Sequence, residues 1–279
     1  MKTLLTLSRA LFAFLAILTA AHAQVTLTGD GSYSQSFTTG QNGVSANTMI
    51  NDAGTYAWTD NSSIAGWYAV VNGSTPAQYR ATNMAVTPTD VIYIPRASGT
   101  SGALGTNRTT GNTGLTTFGV QIVNNTGKTI TELAVSYFGQ QWQHNTGGAD
   151  ALTFQYSLDA TSLTTGIWTT VDALTFNSLY DSGTGANYAS LASTGGSVAP
   201  GTTLSSSITG LALASGATIW FRWVDENNEG VDQALSIDDV SITSTFAPNI
   251  PEPSAQALVA ALTGLAIAGI RRWHRAGRS

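Results

Sequence analysis

The sequence predicts an all-β protein: an antiparallel two-sheet sandwich of jelly-roll type, with an N-terminal signal peptide and a single C-terminal hydrophobic helix. Three observations carry this. Apolar residues alternate with polar ones at period two in several short runs. Gly, Asn, Ser and Thr clusters separate those runs. Bulky aromatic residues, six tryptophans among them, run through a body that shows no helical period.

In chain order, residues 1–23 come first. They place Lys2 and Arg9 before an apolar run from Ala10 to Ala20 and end in Ala21-His22-Ala23. This is the secretory plan, with cleavage leaving Gln24 at the new N-terminus. The body, residues 24–247, follows as one domain. Its clearest strands are Phe118, Val120 and Ile122; then Leu133, Val135 and Tyr137; then Leu152, Phe154, Tyr156 and Leu158; then Ile219, Phe221 and Trp223. Asn124-Asn125-Thr126-Gly127 and Asn145-Thr146-Gly147-Gly148 read as the connections between them. Residues 98–114 are so rich in Gly, Ser and Thr that they read as a long loop.

The formal net charge of −5 hides an uneven distribution. Residues 24–250 hold five basic residues against fifteen carboxylates, a net −10, while both ends are basic. No basic patch exists in the body to bind nucleic acid. The absence of cysteine excludes a disulfide scaffold, a thiolate metal site and a cysteine nucleophile.

Six of the fifteen carboxylates crowd into fifteen residues: Asp225, Glu226, Glu229, Asp232, Asp238 and Asp239. Asp225, Asn227 and Glu229 stand at alternate positions before Gly230, close to the start of a calcium loop, although Ser236 stands where that loop needs a bidentate glutamate. The expectation is therefore a strand-connecting loop in which Asp225, Asn227, Glu229, Asp232, Asp238 and Asp239 are candidate ligands for one structural calcium ion, against a solvated acidic loop. Leu235 and Ile237 share one parity and Val240 and Ile242 the other, so a β-bulge is expected at Asp238-Asp239.

The signals for catalysis are sparse. After export His144 is the one imidazole of the body, and it reads as an exposed loop residue rather than a general base. No nucleophile elbow or zinc-protease motif occurs. Glu132 and scattered aspartates leave open a paired-carboxylate glycan hydrolase, the least favoured reading. Trp58, Trp67 and Trp142 are candidate sugar-stacking residues, with Tyr68 and Trp168 in similar turn-rich surroundings.

The C-terminal segment, residues 248–279, contains Pro251-Glu252-Pro253, an uncharged run from Ala255 to Ile270, and a tail over 271–279 carrying Arg271, Arg272, Trp273 and Arg275. As a helix the run spans about 24 Å, and Trp273 and the arginines would anchor its end at the cytoplasmic face. Together these features resemble the PEP-CTERM sorting domain. That resemblance implies processing by exosortase, a membrane-embedded protease, near Pro251-Glu252-Pro253, with the helix a temporary inner-membrane anchor. The run from Trp223 to Ile242, ending Ile237-Asp238-Asp239-Val240-Ser241-Ile242, resembles the closing strands of MAM and concanavalin-like jelly rolls. The combined expectation is an exported, non-enzymatic structural or adhesive protein of the cell surface or extracellular matrix, in contact with exopolysaccharide or other matrix components. The alternatives are a carbohydrate-binding module and a glycan-active hydrolase.

Overall fold

The computed structural model describes residues 24–37, 54–81, 90–95, 102–107, 114–144, 147–181, 186–187, 199–226, 228 and 232–248. The sorting residues Pro251, Glu252 and Pro253, the flank Arg271, Arg272, Trp273 and Arg275, and the signal peptide lie outside these. The chain divides into two compact units, Met1–Thr245 and Phe246–Ser279. No described helix is long and apolar enough to cross a membrane.

Sixteen strands are described: β1 (Val25–Leu27), β2 (Ser32–Gln35), β3 (Gly54–Ala57), β4 (Trp67–Val71), β5 (Gln78–Ala81), β6 (Asp90–Pro95), β7 (Gly102–Asn107), β8 (Thr116–Asn124), β9 (Ile130–His144), β10 (Ala151–Ser157), β11 (Thr169–Thr170), β12 (Phe176–Asn177), β13 (Ala186–Asn187), β14 (Gly201–Leu213), β15 (Thr218–Asp225) and β16 (Ala234–Phe246). One sheet runs β1-β8-β15-β10-β11, with β4 also on β8 and β12 on β10. The other runs β13-β9-β16-β7-β6-β5-β3, with β14 on β9 and β2 on β16. The expected sandwich is present. β1 with β8 and β5 with β6 run parallel, while the long pairs β8–β15, β10–β15 and β9–β14 are antiparallel.

Alternation explains the core. Along β15 Ile219, Phe221 and Trp223 point inward, and each is fully buried. Trp223 is the hub. Trp67 and Phe118 stack on it at 5.7 and 5.8 Å, while Tyr137 and Phe154 meet it edge-on at 5.5 and 5.2 Å. Aromatic rings from both sheets thus share one indole, each pair adding about 1 kcal/mol to the area it buries. Burial pushes the Tyr137 phenol pKa far up, and its hydroxyl donates to the Leu174 carbonyl.

Two expectations change. The stretch 98–114 is not wholly loop, since Gly102–Asn107 is a fully buried strand between β16 and β6. Its small residues are demanded by packing: a Cβ on Gly105 would lie 2.1 Å from the Leu235 carbonyl oxygen. His144 is not in an exposed loop either. It ends β9, is 8% exposed, and packs 5.9 Å from the Tyr180 ring.

The bulge is where the pattern placed it. Asp239 has a φ of +48°, β16 pairs with β7 over Ala234–Ile237, and it pairs with β2 from Val240 onward. The inward parity switches across Asp238-Asp239, keeping Ile237 and Val240 both buried.

Candidate functional site

The outer face of the seven-stranded sheet carries a row in register across five strands. Tyr68 stands opposite Gly119, Gly119 opposite Arg222, Arg222 opposite Gln155, and Gln155 opposite Thr170. The loop 158–168 folds back over this row. Leu163 sits above Gly119, where a Cβ would come within 2.8 Å of the leucine Cδ2. Asp159 closes the loop by accepting from the Ile167 amide and the Ser157 hydroxyl, both at 2.8 Å. Those bonds hold its carboxyl below the ordinary range, the Ile167 bond contributing most.

Arg222 fastens the loop to the sheet. Its Nε donates to Gln155 Oε1 at 2.8 Å, its terminal nitrogen donates to the Leu163 carbonyl, and its Cζ lies 3.9 Å from the centre of the Trp168 ring. Loss of water around the half-buried guanidinium lowers its pKa to about 10. Trp220 is buried beside Leu163 and Ala160, with the half-buried Tyr68 ring 4.8 Å away. Desolvation, then the nearby Asp60 charge, raises the Tyr68 phenol pKa.

Farther along the same face Thr153 follows Gln155 at about 7 Å. It borders a groove of about 200 Å³ lined also by Asp150, Asn177, Glu226 and Asn228. Asp150 organises this end. Its Oδ1 accepts from the Ala151 amide at 2.7 Å and from Asn228 Nδ2 at 3.1 Å, and its Oδ2 accepts from the Gln233 amide at 3.2 Å. No local signal marks it, because its partners lie up to 83 residues away.

The residues expected to stack on sugar are core residues. Trp67 and Trp142 are fully buried and Trp58 is 4% exposed. Their indole N–H groups are spent internally, on the Tyr33 hydroxyl, Ser236 Oγ and Asp60 Oδ1 respectively. Among the described tryptophans Trp168 is the half-buried one, although its indole N–H also donates internally, to the Thr165 carbonyl at 2.8 Å, and Arg222 lies over its ring.

Among the described members of the expected calcium set, no three gather. Asp225 points between the sheets, where its Oδ2 accepts from Thr106 of β7. Asp238, on β16, has the parity that faces away from that interior, and its Oδ1 accepts from the Asp239 amide at 2.7 Å. Asp239 is exposed and Asp232 buried, while Asn227 and Glu229 lie outside the described residues. Among the described residues no three carboxylate or imidazole groups come together to hold a metal ion. Strand alternation is the cause: Asp225 and Asp238 belong to different sheets and face different ways.

No family model and no curated protein matches the chain. Among solved structures it is similar to the K3 cleaved adhesin domain of Lys-gingipain from Porphyromonas gingivalis, at 10% identity over 64% of this chain and 93% of that one, with a TM-score of 0.40. It is also similar to a putative sugar binding protein from Bacteroides thetaiotaomicron, at 11% identity over 64% and 87%, with a TM-score of 0.33. TmCBM61, solved with β-1,4-galactotriose, matches at 11% identity over 56% and 83%, with a TM-score of 0.29.

Proposed function

We propose that this chain is an exported, non-enzymatic surface protein whose sandwich binds a neutral polysaccharide along the outer face of the seven-stranded sheet. The observation that carries the reading is the combination on one face of a part-exposed indole, Trp168, with a groove of hydrogen-bonding side chains, Thr153, Asn177, Glu226 and Asn228. An indole offers a flat apolar surface for a sugar ring, and the groove offers donors and acceptors for its hydroxyls. The net −10 of the body disfavours polyanionic glycans.

Affinity electrophoresis of the purified protein in gels of neutral polysaccharides tests this. Trp168→Ala and a Glu226→Gln/Asn228→Ala pair should each weaken retention, the tryptophan by about 2 kcal/mol or roughly 30-fold. Equal retention of wild type and variants, or no retention beyond a mobility control, overturns it.

We also propose that residues 248–279 act as a PEP-CTERM-type sorting segment. Arg271, Arg272 and Arg275 would hold the cytoplasmic end while an exosortase cuts near Pro251-Glu252-Pro253. The C-terminal mass of the mature protein decides it. A chain ending near residue 251 supports processing, and an intact chain through Ser279 in the membrane fraction overturns it.

A further inference from the structure

β14 forms a border of the nine-stranded sheet. Among the described residues it pairs with β9 alone, and with thirteen residues it is the longest border strand of either sheet. Thr203, Ser205, Ser207 and Thr209 are exposed on its outer face. On its inner face Ile208 is buried and Leu204, opposite Tyr137, is half-buried.

An open border strand is a template for further pairing, and proteins guard it with charges, prolines or bulges. Here the guards stand only at the ends. Pro200 precedes the strand, and the register with β9 breaks after Thr209, beside Gly210 with its φ of +71°. Between them residues 201–209 pair with β9 in unbroken register and carry no charge.

One bond fixes the backbone phase. The Gln141 amide donates to the Pro200 carbonyl at 2.9 Å, and Gly201 stands opposite Gln140. In an antiparallel ladder, residues that bond the neighbouring strand alternate with residues whose N–H and C=O point away from it. The even-numbered residues of β14 therefore bond β9. Thr203, Ser205, Ser207 and Thr209 turn their backbone groups toward the open border.

The side chains of this stretch are self-complementary. Thr203-Leu204-Ser205-Ser206-Ser207-Ile208-Thr209 reads the same in both directions, with Leu204 answering Ile208. Laid antiparallel on a second copy about a two-fold axis at Ser206, it sets Thr203 against Thr209, Leu204 against Ile208 and Ser205 against Ser207. The Thr and Ser pairs bond across the ladder, and the aliphatic pairs fall at the closer, non-hydrogen-bonded positions, covering the open side of Leu204. The phase agrees, because odd-numbered residues meet odd-numbered ones, N–H to C=O. Charge does not oppose the contact. Glu132 lies opposite Thr209 on β9, and the two-fold carries its second copy about 20 Å along the strands, beyond the screening length of physiological salt.

We propose that β14 is a homodimerisation edge, at which two copies pair residues 203–209 antiparallel about Ser206 and join their nine-stranded sheets into one. The two-fold uses up both open borders, so association stops at the dimer. The inference does not rest on the polysaccharide reading, which concerns the other sheet.

Sedimentation velocity of the purified protein in mild detergent, over a range of concentrations, tests it. The expected result is a monomer–dimer equilibrium. Ser205→Pro removes an outward N–H and leaves the β9 ladder intact, so it should weaken the dimer about 30-fold, two hydrogen bonds being lost by symmetry. Ser205→Lys with Ser207→Lys sets like charges directly opposite and should give monomers, and mixing that variant with Ser205→Glu with Ser207→Glu should restore a mixed dimer. The chain has no cysteine, so Ser206→Cys reads the register. Its two copies would face each other with Cα atoms about 4.5 Å apart, within disulfide reach, and should cross-link under mild oxidation far faster than Ser241→Cys. A monomer at every concentration, or a dimer indifferent to Ser205→Pro and to the lysine pair, overturns the inference. Cross-linking no faster at position 206 than at 241 overturns the register.

Discussion

The hydroxyl of Thr106 donates to the carboxylate of Asp225, joining β7 of one sheet to β15 of the other across the interior. Both residues are fully buried. An aspartate on the inward face of a strand must recover by hydrogen bonding what it loses in hydration. Thr106→Val keeps the shape and removes the donor, so it should cost about 1–3 kcal/mol, read as a lower urea midpoint at unchanged m.

Gly105 and Gly119 are held by contact. A Cβ would lie 2.1 Å from the Leu235 oxygen at the first and 2.2 Å from the Phe221 oxygen at the second, and both obstacles are backbone atoms. Each Gly→Ala change should destabilise the protein by about 1–3 kcal/mol. Gly127→Ala has open space around it and meets only the cost of its φ of +75°. Thermal melts of the three variants compare packing with backbone strain.

Arg222 combines a directed bond to Gln155 with stacking on Trp168. Arg222→Lys keeps the charge and loses the planar fork, so it should destabilise the loop 158–168 by about 1 kcal/mol. Trp168 fluorescence should shift toward that of a solvated indole before global unfolding begins.

The same loop should respond to acid. Asp159 is held below its ordinary pKa of 3.8, so its contribution is present above that value and fades as pH falls toward the lower folded pKa. The Ile167 amide resonance should move over that window, and Asp159→Asn should abolish the movement.

At the alkaline end the phenols dominate. Tyr137 and Tyr68 have pKa values raised above 10 by burial, so the unfolded chain ionises first and stability should fall as pH rises past 10. Arg222 opposes this, because a base lowered to about 10 makes the folded state shed its proton first. Tyr137→Phe should flatten the alkaline decline seen in urea midpoints.

Some of this was legible in one dimension. Period-two alternation located β8, β9, β10 and β15, and the parity switch at Asp238-Asp239 located the bulge, because a strand buried on one face writes its geometry into neighbouring residues. The strand Gly102–Asn107 was not legible, since Gly105 answers to the backbone of β16 some 130 residues later. For Trp67, Trp142 and Trp168 sequence could not separate core from surface, because the decision lies with what packs on the other side of each ring.

By itself the sequence determined a cysteine-free, acidic β protein whose two ends are both basic and apolar. Only the tertiary structure decided which carboxylates meet. Residues 225–239 are adjacent in the chain, yet Asp225 and Asp238 lie in two sheets and face apart, while Asp150, remote in sequence, gathers Asn228 and Gln233. Alternation sends successive side chains to opposite faces, and the path of the chain between sheets then places distant residues side by side.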